Sequence, residues 1–172
     1  MGNETHRYRG KWLGIAECNG WEYATRTNAR GVAVIIAVTD HDELLLVEQY
    51  RIPVRSRVLE LPAGLAGDGA NPDEDIRLAG HRELLEETGY AAGDLKPILI
   101  CPSSAGLSDE IVTFFVARQL RQSGPGGGDA SEDIEVHAVP LDGIDAWLLQ
   151  RQAQGILLDP KIYSALYLLR SC

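Results

Sequence analysis

The sequence predicts an α/β fold in which helices cover both faces of a mixed β-sheet. Short apolar and β-branched runs, typical of strands, are interspersed with three longer segments whose apolar residues recur every three to four positions, as on helices. Because strands and helices do not alternate regularly, a purely parallel sheet is not expected. We therefore predict an α/β/α sandwich with a mixed β-sheet.

The clearest strands form a hairpin, in which residues 31–39 and 43–49 flank the turn-forming Asp-His-Asp at 40–42. Further strands are predicted at 12–16, 21–27, 58–61, 97–101, 111–117 and 134–139. Helices are predicted at 72–88, 144–153 and 160–170. The glycine-rich stretch 124–130 is expected to be a mobile surface loop, because glycine is costly to order and no apolar group there offsets the cost.

Length and composition fit one soluble domain. A chain of 172 residues can bury a core without disulfides, and 45% hydrophobic with 24% charged residues is ordinary. No run approaches the ~20 apolar residues of a membrane span, and the N-terminus lacks the apolar segment of a secretory signal. The three cysteines, with no CxxC pair, suit reduced thiols. We expect a cytoplasmic protein with no membrane partner.

The net charge of -9 makes a nucleic-acid partner improbable. Residues 1–57 hold eight of the 16 Lys and Arg against seven of the 25 acids, so the acidic excess is concentrated from Glu60 onward. An acidic site is compatible with an anionic ligand when divalent cations lie between them.

Three glutamates of the 72–88 helix lie at i, i+3 and i+4, so that Glu83, Glu86 and Glu87 project from one face. Like charges at this spacing destabilise a helix, and stability alone does not explain them. Oxygen-rich clusters suit hard cations such as Mg²⁺ or Mn²⁺. A solvated acidic face is the alternative interpretation.

This segment resembles the signature of the Nudix hydrolases, G-x5-E-x7-R-E-U-x-E-E-x-G-U, in which U is aliphatic or aromatic. The chain supplies Glu74, seven further residues, and then RELLEETGY from Arg82 to Tyr90. One spacing departs from the signature, because nine residues instead of five separate Gly64 from Glu74. The extra residues fall in the loop before the helix, where insertions are well tolerated. The resemblance implies a Nudix-type sandwich.

The resemblance also implies a site for two or three Mg²⁺ or Mn²⁺ ions. The implied metal ligands are Glu83, Glu86, Glu87, the Ala63 carbonyl and Glu132. Arg82 would orient the carboxylates through charge-assisted hydrogen bonds, with an ordinary surface ion pair as the alternative. Glu74 would cap or brace the helix.

The proton acceptor stays open among three residues. Glu132 resembles an acidic residue on a late loop of bacterial members, but the position two residues earlier, often the base, is Ala130. Glu110 and Asp129 are the substitutes, and each of the three can equally be a surface charge.

Segments outside the signature resemble the ADP-ribose pyrophosphatase branch, and the resemblance covers most of the chain. EQYR at 48–51, LELPAG at 59–64 and SAGLSDE at 104–110 match its motifs, with Ala105 in place of a proline that restrains the loop. The substrate contacts that this resemblance implies are Trp12, Trp21, Glu22, Arg26 and Arg51.

Trp12 and Trp21 would sandwich an adenine whose amino group Glu22 reads, because an indole stacks well on a purine. Both indoles can equally be core or dimer-interface anchors. Arg51 suits a phosphate contact, whereas Arg26 can do the same or lie on a strand surface.

The implied reaction is hydrolysis of ADP-ribose to AMP and ribose 5-phosphate by a metal-activated water. The alternatives are another nucleoside-diphosphate sugar, such as GDP-mannose or ADP-glucose, and a regulator that binds ADP-ribose without cleaving it. The resemblance further implies a homodimer, with an N-terminal antiparallel β extension at 1–30, for dimerisation and base binding, and a catalytic domain at 31–172.

Overall fold

The computed structural model describes residues 4–69, 71–128 and 133–170, which form eleven strands and three helices. The strands are β1 (Thr5–Arg9), β2 (Leu13–Cys18), β3 (Trp21–Arg26), β4 (Gly31–Ala37), β5 (Glu43–Arg51), β6 (Ser56–Glu60), β7 (Ala63–Ala66), β8 (Tyr90–Pro102), β9 (Ile111–Gln122), β10 (Glu135–Pro140) and β11 (Leu157–Leu158). The helices are α1 (Ile76–Thr88), α2 (Ile144–Ala153) and α3 (Lys161–Leu169). Within these ranges, no helix is long and apolar enough to cross a membrane.

The strands form three sheets. One is the antiparallel sheet β1-β2-β3, and the others are the four-stranded sheets β10-β5-β6-β11 and β7-β4-β9-β8. Both larger sheets are mixed, because β4 pairs with β9 and β6 pairs with β11 in parallel whereas their other pairs are antiparallel. The predicted mixed α/β fold is confirmed, although two mixed sheets stand where one was expected. The predicted β4–β5 hairpin is wrong beyond its turn, because a single bridge between Val38 and Leu44 joins the two strands, which then enter different sheets.

Strand β4 is apolar on both faces, which lets helices cover both. Its successive side chains belong alternately to two cores. On one face Ala33, Ile35 and Ala37 pack in a cluster with Leu84 of α1. On the other face Val34 and Ile36, together with Val38 just after the strand, share a cluster with Ile144, Leu148 and Ile162 of α2 and α3. A polar outer face on this strand would leave one layer of helices without a partner.

Helix α1 begins four residues later than the sequence predicted. Asn71 instead begins a single turn, because its side chain accepts from Asp73 N–H at 3.1 Å and its carbonyl accepts from Glu74 N–H at 3.1 Å. The helix cap is Asp75, which is extended (φ -66°, ψ 136°) and accepts from Arg77 N–H. The predicted end is confirmed, since Gly89 has the left-handed φ of 75°.

The described part of the glycine-rich stretch, residues 124–128, contacts the end of α1, and its mobility stays a prediction. Gly127 N–H donates to Glu87 O at 2.8 Å, and Gly128 N–H donates to Glu86 O at 3.0 Å. Backbone hydrogen bonds therefore join this segment to the end of α1, although no side chain there signals it. Residues 129 and 130 lie outside the described residues.

The N-terminal sheet is attached to the loop before β9. Ala24 N–H donates to Leu107 O at 2.8 Å, and Asp109 N–H donates to Ala24 O at 3.3 Å. Thr25 Oγ1 also donates to the Asp109 carboxylate at 2.7 Å. These contacts place the 104–110 loop beside β3.

Candidate active site

Arg82 lies at the centre of the carboxylate cluster. Its Nε and Nη2 donate to the two carboxylate oxygens of Glu74, each at 3.1 Å, in a bidentate pair. Its Nη1 donates to Glu83 at 2.7 Å and to Glu86 at 3.1 Å. The bond to Glu74, more than any other contact, raises the pKa of Arg82, so the guanidinium is permanently charged.

Glu74 braces the loop before α1. Besides Arg82, it accepts from Gly67 N–H at 3.3 Å, and Arg82 Nη2 donates to Leu65 O at 3.0 Å. The Arg82 bond lowers the pKa of Glu74, against the effect of burial and with help from the Gly67 bond. The loop, β7 and α1 are thus held together through one arginine.

The Glu83 carboxyl group lies directly against Gly64. A Cβ at position 64 would be 1.8 Å from Glu83 Cδ, so the Glu83 carboxyl group would have to move to admit a larger residue there. Burial raises the pKa of Glu83 in spite of Arg82, and the negative charges of Glu86 and Asp68 raise it further. A carboxylate that is desolvated among other carboxylates favours a cation beside it.

Glu87 is 4% exposed, and its Oε2 accepts from Ala63 N–H at 2.9 Å. Ala63 is fixed by β7, where it pairs with Val34 of β4. The sheet therefore sets the position of this carboxylate. The structure joins Ala63 to Glu87 through the N–H, and the predicted metal contact of the Ala63 carbonyl stays a prediction.

Within the described residues, the side chains whose potential ligand atoms all lie within 4.8 Å of one another are Glu48, Glu135 and His137. The three glutamates of α1 do not form such a group there. The α1 carboxylates are drawn to Arg82 and Ala63 N–H instead. At least one of them has to turn for the three to share an ion.

We interpret the Glu48 cluster as an ion-pair network and not as a cation site. Glu48 is 2% exposed and accepts from Arg57 Nε at 2.6 Å and from Arg151 Nη2. Burial alone raises the pKa of Glu48, but the bonds from Arg57 and Arg151 outweigh it, so the pKa is below its usual value. Two guanidinium groups already neutralise the buried carboxylate and would repel a cation.

The predicted adenine pair, Trp12 and Trp21, is exposed, 55% and 67% respectively, so neither indole belongs to the core. Lys11 Nζ lies 4.3 Å from the centroid of the Trp12 ring. Trp21 lines a cavity of about 210 Å³ together with Tyr23 and residues of the 105–109 loop.

The two indoles lie at opposite ends of the β2–β3 hairpin. Trp21 pairs with Cys18 next to the turn, whereas Trp12 adjoins Leu13, which pairs with Arg26. Five strand residues separate these pairs, roughly 17 Å at the usual rise. Rings on opposite faces of one base lie only about 7–8 Å apart. The register thus holds the backbones of the two tryptophans of one chain more than twice that distance apart.

Arg26 and Glu110 form an ion pair, with Arg26 Nε donating to Glu110 Oε1 at 2.6 Å. By the β4 register, Glu110 lies about four strand residues from the level of Ala63, or roughly 13 Å. Glu110 is therefore not brought to the α1 carboxylates. Arg26 and Glu110 line a cavity of about 100 Å³ with Arg30 and Asp109.

The remaining predicted site residues have separate environments. Arg51 Nε donates to Glu60 Oε2 at 2.6 Å, which leaves the Arg51 side chain 43% exposed. Glu22 is exposed on β3, opposite Glu17. Glu132 and Asp129, two of the three proton-acceptor candidates, lie outside the described residues.

Sequence reasoning missed the Glu48 network and the contact of the glycine-rich segment with α1. A glutamate at the end of the apolar run LLLVE was a signal for the first, because a buried carboxylate requires a partner. The partners Arg57 and Arg151 could not be identified without the fold. The contact of the glycine-rich segment with α1 gives no signal in the side chains, because its donors are backbone N–H groups.

The chain belongs to the Nudix family. The family model described as the NUDIX domain matches residues 28–158, which contain α1 and its carboxylate cluster. The predicted family is therefore confirmed.

The chain is similar in sequence to proteins with three different names. It is 34% identical over 113 residues to the methanol dehydrogenase activator of Bacillus methanolicus, covering 65% of the chain and 59% of that protein. It is 39% identical over 90 residues to the ADP-ribose pyrophosphatase of Bacillus subtilis (strain 168), covering 52% and 46%. It is 30% identical over 120 residues to the GDP-mannose pyrophosphatase of Enterobacter sp. (strain 638), covering 65% and 60%. The matches thus span less than two thirds of each relative.

A solved structure supports the fold. The crystal structure of an ADP compounds hydrolase superposes with a TM-score of 0.72 at 24% sequence identity, covering 98% of this chain and 90% of that one. At this identity the likeness establishes the architecture, including the N-terminal sheet, and not the substrate.

Proposed function

We propose that the chain hydrolyses the diphosphate bond of a nucleoside-diphosphate sugar with Mg²⁺ or Mn²⁺, and that ADP-ribose is the leading substrate. The observation that carries the proposal is Arg82, which holds Glu74, Glu83 and Glu86 together while Ala63 N–H holds Glu87. A solvated acidic helix face, the alternative interpretation, does not account for a carboxylate that is 4% exposed.

The residues fit a divalent cation site. Glu83, Glu86 and Glu87 offer only oxygen ligands, which Mg²⁺ and Mn²⁺ prefer. The Glu83 carboxyl group, which lies against Gly64, is partly desolvated. Two or three ions are proposed by analogy with the family. A bound cation supplies positive charge against the diphosphate oxygens.

The chain's own side chains would orient the metal-binding carboxylates and take a proton from the attacking water. Arg82 fixes the carboxylates, and Glu74 fixes Arg82. We propose Glu132 as the proton acceptor, since the Glu110 carboxylate already accepts a hydrogen bond from Arg26. In the reaction a water oxygen bonds to one phosphorus and the P–O–P bond breaks. AMP and ribose 5-phosphate form, and the carboxylate takes the proton.

The position of the indoles supports a base site made by two chains. Because the backbones of Trp12 and Trp21 lie at opposite ends of the β2–β3 hairpin, we propose that a homodimer brings one indole from each subunit. Residues 1–30 would then be the dimerising and base-binding extension, and 31–172 the catalytic domain. Arg26, Arg51 and Glu22 stay proposed substrate contacts.

GDP-mannose is the second candidate substrate, because one relative bears the name GDP-mannose pyrophosphatase. The base distinguishes the candidates, since a carboxylate such as Glu22 can accept from the adenine amino group, whereas guanine presents a carbonyl oxygen at that place. An exposed Glu22 beside Trp21 favours adenine.

A product assay tests the proposal. The purified chain is incubated with Mg²⁺ or Mn²⁺ and ADP-ribose, ADP-glucose or GDP-mannose, and products are separated by chromatography. We expect AMP and ribose 5-phosphate from ADP-ribose, with turnover at least ~100-fold lower in Glu83→Gln and Glu87→Gln. Glu135→Gln, at an exposed glutamate of β10, is the matched control.

Two results would contradict the proposal. Full activity in a folded Glu87→Gln variant would remove the metal-site assignment. Absence of turnover with every substrate, together with tight ADP-ribose binding, would favour the non-catalytic regulator instead.

A further inference from the structure

The glycine segment, residues 124–128, lies against the C-terminal end of α1. A helix leaves its last four carbonyl groups without partners inside the helix. Here Glu87 O and Glu86 O accept from Gly127 N–H at 2.8 Å and from Gly128 N–H at 3.0 Å. Gly89 O accepts from the N–H groups of Ser123 at 2.8 Å and Gly124 at 3.1 Å. The segment caps the helix through backbone N–H groups, and the neighbouring Ser123 hydroxyl also donates to Gly89 O at 3.4 Å.

This cap lies where α1 most needs positive charge. The C-terminal end of a helix carries a negative partial charge, and cationic side chains usually offset it. The last turn of α1 has no basic residue and carries the carboxylates of Glu86 and Glu87. The N–H donors of the glycine segment therefore offset negative charge at the C-terminal end of α1, which the Glu86 and Glu87 carboxylates make more negative.

The contact leaves no room for a methyl group. Gly126 has a φ of +69°, and a Cβ there would lie 2.4 Å from the Thr88 carbonyl carbon and 2.7 Å from Glu87 O. Gly89 has a φ of +75°, and its Cβ would lie 2.2 Å from Gly124 O. The two backbones touch through glycines on both sides, and neither obstacle is a side chain that can rotate away.

We propose that the glycine segment positions the carboxylate site and that Gly126 is its central positioning residue. The inference rests on the proposed function, because it concerns carboxylates that bind a divalent cation. The carbonyls that the segment holds belong to Glu86 and Glu87, the same residues that supply the carboxylates.

A displaced helix end cannot be corrected locally. Glu87 is 4% exposed and its carboxylate accepts from Ala63 N–H, so the side chain has no space to turn back. Ordinary contact requires 3.4 Å or more, so a methyl at 2.4 Å moves the backbones apart by about 1 Å. Metal–oxygen distances tolerate only about 0.2 Å. The displacement therefore reaches the cation site.

The test compares Gly126→Ala with Gly124→Ala. The control adds the same methyl two residues away, where no heavy atom lies within 4 Å and φ is not left-handed. Mn²⁺ binding is measured by titration calorimetry without substrate, followed by kcat and KM for ADP-ribose. We expect Gly126→Ala to raise the Mn²⁺ Kd at least ~10-fold and to lower kcat, with KM within about threefold. Gly124→Ala should stay within about twofold of the unmodified chain.

The outcomes separate this inference from the proposed function. Unchanged Mn²⁺ affinity in a folded Gly126→Ala variant, beside an active unmodified chain, overturns the inference alone. If the unmodified chain neither binds Mn²⁺ nor cleaves a nucleoside-diphosphate sugar, the proposed function fails and this inference with it.

Gly127→Ala serves if Gly126→Ala does not fold. Its φ of +103° strains any L residue, yet the added Cβ meets nothing closer than Ile134 O at 3.8 Å. We expect a smaller weakening of Mn²⁺ binding, about threefold or more. Affinity equal to that of the unmodified chain overturns the inference.

Discussion

Replacing Arg82 by lysine keeps the positive charge of the cluster and removes its geometry. The guanidinium makes five hydrogen bonds, two to Glu74 and one each to Glu83, Glu86 and Leu65 O. An ammonium group at the end of a flexible stem cannot bind Glu74 bidentately and reach the other groups at once. Arg82→Lys therefore separates the charge of this residue from its orienting role.

The expected stability loss follows from the bonds that lysine cannot make. Three bonds, the two to Glu74 and the one to Leu65 O, are lost at ~0.5–1.5 kcal/mol each. The Arg82 side chain is 33% exposed, and water replaces part of the loss, so about 1–2 kcal/mol remains. For a chain of this size, that lowers Tm by roughly 2–8 °C. Loss of carboxylate orientation lowers kcat by about 10–100-fold.

The assay measures Tm by circular dichroism and kcat for ADP-ribose at saturating Mn²⁺. Arg77→Lys is the matched control, because Arg77 lies on the same helix, is 54% exposed and comes only within 3.8 Å of Asp94. We expect the control to match the unmodified chain in both quantities. A kcat in Arg82→Lys within twofold of that of the unmodified chain would refute the reasoning that the planar guanidinium group of Arg82 orients the carboxylates.

Two further predictions concern the interior and the base site. Glu48→Gln leaves two guanidinium groups without their anion and should lower the free energy of unfolding at pH 7 by about 2–4 kcal/mol, less than for a wholly buried pair because both arginines reach water. Since the pKa of Glu48 in the folded protein lies below its ordinary value of 4.5, the ionised carboxylate stabilises the fold above pH 4.5, and this stabilisation is lost on acidification. Urea unfolding should therefore show that the free energies of unfolding of the parent and Glu48→Gln differ less at pH 4 than at pH 7. Equal free energies of unfolding at pH 7 would contradict the network. Trp12→Ala and Trp21→Ala should each weaken ADP-ribose binding by ~1–3 kcal/mol. Mixing the two variants should restore parental KM in a fraction of sites, since one site of a mixed dimer keeps both indoles, and no recovery would argue against a two-chain sandwich.

The sequence predicted elements whose side chains carry a repeating or specific pattern. Strands β4 and β5 read as aliphatic runs around a polar turn, and the end of α1 was marked by Gly89. The shared face of Glu83, Glu86 and Glu87 was predicted from their spacing, since the i, i+3, i+4 relation fixes which residues lie together on a helix. The orienting role of Arg82 was implied by the resemblance to the Nudix signature.

The rest depended on backbone contacts and on distant partners. The short strands β7 and β11 and the first half of β8 have no alternating pattern, because their neighbours and not their own side chains define them. The start of α1 was placed too early, since Asn71 has the chemistry of a cap but uses it on a separate turn. The separation of Trp12 from Trp21 followed only from the register of the hairpin.

The attachment of β3 to the loop before β9 has a consequence for the order of folding. The β2–β3 hairpin closes across two residues, Asn19 and Gly20, and can form locally within microseconds. Its contact from Thr25 to Asp109 closes 84 residues of chain, and closure of so long a loop is entropically costly until β4 and β9 have paired. We therefore expect β2 and β3, which precede β4 and β9 in synthesis, to reach their final place after those two strands have paired.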